Sequence, residues 1–143
     1  MSKKIKAGIE IIEKLRGDVK LQYDYYKHMT IINAGSILVI IALFEGVFED
    51  PKGIEIIIIS IVSFVVSLVC SLEIMSMIGN LVLYLTEIHR VSITKSKDEA
   101  NKISAKMKST IKKIQVFTDL HGIFFYLGIV MLVYFAIYNF LQE

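Results

Sequence analysis

Four serines inside one apolar stretch are the first residues whose spacing suggests chemistry. Ser60, Ser63, Ser67 and Ser71 recur at steps of three and four, so on a helix they form one stripe of small hydroxyls. Two readings stand side by side. Each hydroxyl can donate to the carbonyl four residues back while its small size lets a second helix approach closely. With several copies around an axis, the same stripe is the hydrophilic wall of an ion pore. Packing puts the serines against a helix of the same chain, whereas a pore puts them on the symmetry axis of a homo-oligomer.

A second set is brought together by folding the chain at its two expected turns. His28, Glu73, Asp119 and His121 then fall at one level. Titratable groups at such a level are ordinary where a membrane meets water. Placed side by side, they form an inner-boundary gate sensitive to protons or a ligand, because histidine changes charge near neutral pH. Two histidines and two carboxylates are also a donor set for a divalent metal, although their spacing is no recognised ligand box, and neither metal nor cofactor is expected.

Two charged sets complete the inventory. Glu45, Glu49, Asp50 and Glu55 flank the turn Glu49-Asp50-Pro51-Lys52-Gly53. They are either solvated acids or, in an oligomer, an outer mouth that concentrates cations. Lys102, Lys106, Lys108, Lys112 and Lys113 lie mostly off the apolar stripe Ala100, Ile103, Met107, Ile111, Ile114 and Phe117. Such a basic face suits anionic headgroups of an inner leaflet. It lacks the exposed aromatics of a nucleic-acid surface, so no nucleic acid is expected as a partner. No nucleophile–base pair, phosphate loop or metal box is visible, which argues against an enzyme.

The elements that must position these residues follow from the distribution of apolar side chains. Hydrophobic residues make up 55% of the 143, mean hydropathy is +0.60, and net charge is only +2. The apolar residues gather in three blocks, Met29–Phe48, Ile54–Ile74 and Leu120–Leu141. Ile56–Leu72 and Gly122–Leu141 carry no charge at all. A helix crossing a bilayer needs about 20 such residues. The expected fold is therefore all-α: three long helices at about 3–48, 54–94 and 97–141, in one polytopic membrane domain. Each has a transmembrane half (29–48, 54–74, 120–141) and a cytoplasmic stalk half (3–28 and 75–118).

Stripes with helical spacing mark the stalk. Ile5, Ile9, Ile12, Leu15, Val19, Tyr23 and Tyr26 mark the first helix, and Leu81, Leu83, Tyr84, Leu85, Ile88 and Val91 continue the apolar character of the second beyond its span. Ser96-Lys97-Asp98-Glu99 has the form of a capping box for the third. Tyr138, and Tyr134 beside it, suit an aromatic belt, while Tyr126 lies deeper and is expected to face protein. The first apolar block starts only at Met29, so no secretory leader is expected, and the single cysteine, Cys70, allows no internal disulfide.

Lysine and arginine set the expected orientation. Seven precede Met29, eight lie between Thr86 and Thr118, and only Lys52 lies in the turn and C-terminal tail. The positive-inside rule puts the N-terminus and the 86–118 segment in the cytoplasm, and the turn and C-terminus outside the cell membrane.

The layout of Lys3–His28, Met29–Leu72 around the 49–53 turn, and Leu81–Val91 resembles the small membrane effectors of bacterial anti-phage immunity, in particular the SLATT-type families. The span Leu120–Leu141 is additional to that layout. The resemblance implies a membrane-disrupting or pore-forming effector with a cytoplasmic protein partner, and it assigns no site residues. Two functions are therefore carried forward. One is an oligomeric pore or membrane-perturbing effector gated through its cytoplasmic helices. The other is a non-conducting scaffold or accessory subunit that docks a cytoplasmic or membrane partner.

Overall fold

The computed structural model describes residues 3–46, 52–94 and 97–141, with the side chains at 3–12, 43, 45, 46, 89, 92–94 and 97 outside the description. The fold is three helices: α1 (Lys3–Gly46), α2 (Ile54–Thr94) and α3 (Lys97–Phe140). No strand occurs among the described residues. α1 and α3, at 44 residues each, are about 66 Å long. Each helix runs unbroken from its charged half into its apolar half, as the lack of any internal proline allows. Five hydroxyl side chains inside the helices bond to their own backbone. Thr30, Ser36, Ser63, Ser71 and Thr86 each donate to the carbonyl four residues earlier.

The turn between α1 and α2 closes on Gly53. Its φ of 74° lies in the left-handed region, and its carbonyl accepts the Ile56 N–H at 2.9 Å to start α2. Glu55 sits in that first turn, where the positive end of the helix dipole favours an acid. α3 opens similarly with Asp98 and Glu99. Ser96, the expected cap, lies outside the described residues.

α2 is the central element, and both neighbours pack along it. α1 and α3 meet through long side chains, as where Tyr26 Oη lies 2.8 Å from Thr118 Oγ1. The core is layered. Towards the hairpin end, Ile40, Ile57, Phe64 and Phe135 form a fully enclosed apolar plug, flanked by Ile37, Phe125 and Leu132. α3 lies tight against α2 beside it, because a Cβ added to Gly128 would lie 3.0 Å from the Phe64 ring. Towards the stalk end, Tyr26, Ile74 and Ile78 form a second cluster with Val19, Ile114 and Phe117. Further along, Leu81, Val91 and Ile103 are buried. Here the three apolar stripes face one another without closing, and leave a cavity of about 410 Å³ between Leu15, Val19, Leu85 and Ile111.

Polarity in the apolar half is inverted relative to a water-soluble bundle. Its buried side chains include Asn33, Ser60, Ser63, Ser67, Ser71, His121 and Asn139. Its exposed ones include Ile31, Leu38, Val39, Ile58, Val62, Val69, Ile123, Val130, Val133 and Ile137. Two helical segments, Ile54–Ile88 and Asp98–Phe140, are long and apolar enough to cross a membrane. The first expected span, Met29–Phe48, ends among residues outside the description.

Candidate functional site

The polar seam between α2 and α3 is built by helical spacing. Ser60, Ser63, Ser67 and Ser71 lie on one face of α2, and all four are buried. Ser60 Oγ donates to the Gly128 carbonyl of α3 at 2.8 Å. Ser63 Oγ donates to Ile59 O of its own helix at 2.7 Å. Ser67 Oγ and Ser71 Oγ lie 2.8 and 3.0 Å from His121 Nδ1. Three of the four serines thus reach the third helix of the same chain.

The hydrogen bonds of this cluster place its protons. Ser67 Oγ–H donates to His121 O at 3.2 Å, and Ser71 Oγ–H donates to Ser67 O at 3.1 Å. Both hydroxyl protons are spent on carbonyls, and Ser67 O also lies 3.1 Å from Nδ1. A carbonyl only accepts, so the contact with Ser67 O favours the tautomer that carries its hydrogen on Nδ1. In the neutral ring, Nε2 is then an acceptor. It is buried and has no donor. Tyr26 meets the ring edge-on at 5.7 Å, and Phe125 stacks on it at 6.1 Å.

Asn33 is the second unsatisfied group. It is 0% exposed, and neither Oδ1 nor Nδ2 has a partner. Thr30 Oγ1 lies 3.9 Å from Met75 Sδ. In antiparallel helices, Asn33 is therefore level with Ser71 and with the His121 cluster.

The expected gate is not assembled. His28, Glu73 and Asp119 are exposed, while His121 is buried. The four share a level but not a face. Each exposed member is two residues from an inward one: His28 from Tyr26, Glu73 from Ser71, and Asp119 from His121. Two helical steps turn a side chain by about 200°. Among the described residues, no group of three His, Cys, Asp or Glu side chains is placed to hold a metal.

The charged sets stand apart from the seam. Glu55 is exposed, as are Lys102, Lys106, Lys108, Lys112 and Lys113. Glu49 and Asp50, and the side chain of Glu45, lie outside the described residues. Tyr126 is 69% exposed, against the expectation that it faces protein. Its neighbour Phe125 takes the inward position, where it contacts Phe64 and His121.

Several contributors are not in the sequence inventory. Asn139 brackets the turn: Oδ1 accepts the Lys52 N–H at 2.9 Å, and Nδ2 donates to Lys52 O at 3.1 Å and to Phe135 O at 3.0 Å. Asn33 and Asn139 were detectable as amides inside otherwise apolar blocks. Gly128 carries no such signal, because its role is a close approach that depends on Phe64.

A cavity of about 620 Å³ opens between α1 and α3 at the level of His28, with Asp24, Tyr25 and Thr118 among its walls. Comparison with family models, curated proteins and solved structures finds no match for this chain.

Proposed function

We propose that the chain is an integral membrane protein with three spans, and that it works as a non-conducting scaffold or accessory subunit. The N-terminus and the 86–118 segment lie in the cytoplasm. The turn at Gly53 and the C-terminus lie outside. The lysines of α3 rest against anionic headgroups, and the loosely closed stalk docks a cytoplasmic protein.

The membrane assignment rests on the inverted polarity of the apolar half. Buried serines whose hydroxyls are satisfied within the bundle, under an aliphatic exterior, suit a hydrocarbon solvent, where polar groups must be satisfied internally. The non-conducting assignment rests on one observation: the serine stripe is turned inward, with three of its four hydroxyls on α3, and the plug of Ile40, Ile57, Phe64 and Phe135 seals the bundle beside it. A single copy therefore encloses no wet path.

The second reading, an oligomeric pore or effector gated by the stalk, is favoured by Asn33 and His121. Polar groups left unsatisfied at membrane depth are expensive and mark functional positions. Conduction on that reading requires α2 and α3 to part.

Ion flux from liposomes containing the purified protein decides between them. Flux no greater than that of empty liposomes supports the scaffold. Flux above that level, with an oligomer in detergent, selects the pore. Extraction of the protein from cell membranes by alkaline carbonate removes the membrane assignment itself.

A further inference from the structure

We infer that the cavity between α1 and α3 is a binding site for an amine-bearing zwitterionic phospholipid of the phosphatidylethanolamine type, which rests on the membrane reading above. The cavity, about 620 Å³, spans from Leu21 to His28 on α1 and from Ile114 to Thr118 on α3. Those residues lie just below the apolar blocks that start at Met29 and Leu120, which is headgroup depth on that reading. The volume is of the size that holds a compact polar group with part of an attached chain.

The chemistry of the walls selects the headgroup. Asp24 supplies a carboxylate, Gln22 an amide and Thr118 a hydroxyl, while Leu21 and Ile114 supply apolar surface. A primary ammonium carries three donors and can reach such acceptors together. A trimethylammonium has none, and an anionic glycerol headgroup would meet the Asp24 charge. The cationic complement lies outside the cavity, where Lys27 is exposed on α1 between Asp24 and the apolar block, on the side where the phosphate would lie. Ile32, one turn beyond His28 and exposed, continues an apolar surface for an acyl chain. A carboxylate on the open wall with a lysine beside it matches the two opposite charges of a zwitterion.

The test uses the full-length protein in bilayers of matched acyl chains containing equal parts of phosphatidylethanolamine, phosphatidylcholine and phosphatidylglycerol. Lipids that remain bound after release into the gas phase are counted by native mass spectrometry. Wild type is expected to retain phosphatidylethanolamine about three- to fivefold over phosphatidylcholine, as suits one partly solvated hydrogen bond to a charged group that only the primary ammonium can donate. Asp24→Asn is expected to abolish the preference, Asp24→Glu to keep it, and Asp98→Asn, an exposed acid at the far end of α3, to leave it unchanged. Equal retention of the two zwitterions overturns the inference, as does a preference that survives Asp24→Asn. Preferential retention of phosphatidylglycerol moves recognition to the lysines and overturns it too. Flotation of the same preparation separates the two levels, because protein that fails to float with the bilayers refutes the membrane reading instead.

Discussion

Ser67 Oγ lies 2.8 Å from Nδ1 of His121, and both side chains are buried. This contact joins the centre of α2 to the start of the apolar half of α3, and Ser71 completes it from one turn away. It turns the serine stripe into the glue of a two-helix seam. It also sets a sharp expectation for substitutions, because a seam has no room and a pore wall does.

Ser67→Leu is expected to destabilise the protein by about 1–3 kcal/mol or more, through overpacking and the loss of an acceptor for Nδ1–H. Ser67→Ala leaves Ser71 in place and is expected to cost about 1 kcal/mol. Equilibrium unfolding in mixed micelles measures both. A Ser67→Leu protein as stable as wild type shows that the stripe does not stay against α3 in the membrane.

The Ser67–Ser71–His121 cluster should behave as a unit. In a double-mutant cycle, Ser67→Ala and Ser71→Ala together are expected to cost more than the sum of the two. Either serine alone still accepts from Nδ1, and only their joint loss leaves the ring with Ser67 O. Strict additivity in the same unfolding assay argues against a shared donor.

Asn33 predicts the opposite sign. Its amide is fully buried and makes no hydrogen bond, so removing it relieves an unpaid desolvation. Asn33→Leu, close in volume, is expected to raise stability by about 1 kcal/mol. A loss of stability in the thermal melt means that Asn33 finds a partner in the bilayer, and it directs attention to α1 as the helix that shifts.

Much of this was legible because hydrophobic periodicity and breakers act locally. Pro51 and Gly53 marked the hairpin, and uninterrupted apolar runs marked helices whose observed ends lie close to those expected. The levels along the bundle were legible too, since antiparallel helices joined by short turns fix which residues stand side by side. Angular position was not. His28, Glu73 and Asp119 share the level of His121, but each lies about 200° around its helix from an inward residue. Rotation is set by side-chain packing between helices, which residue order does not display. The spacing of the serines showed that they share one face, but whether that face met a helix of the same chain or an oligomer axis was left open by the same limit.

Asn139 makes a related, local prediction at the hairpin end. Its amide pairs with both sides of the Lys52 peptide much as a strand neighbour would. Asn139→Ala is expected to cost about 1–2 kcal/mol. Asn139→Asp keeps an acceptor for the Lys52 N–H but sets a carboxylate against the carbonyls of Lys52 and Phe135, so it should cost more. Unfolding in micelles ranks the three. Limited proteolysis near Lys52 should rise in the same order, and an unchanged cleavage rate removes Asn139 as the clasp of the turn.

The tightest geometric constraint is the approach of α3 to Phe64. A Cβ at position 128 would lie 3.0–3.1 Å from three atoms of the Phe64 ring. That ring is buried in the plug and cannot swing away freely. The backbone at Gly128 is also pinned, since its carbonyl accepts from Ser60 Oγ at 2.8 Å. Gly128→Ala is therefore expected to destabilise by about 1–3 kcal/mol. Phe64→Leu alone should cost by leaving a cavity. Combined, the two should cost less than their sum, because the smaller side chain vacates the space that the new methyl needs. Additive costs in the unfolding assay would mean that α2 and α3 relax apart, which is also the motion that a conducting state of the seam requires.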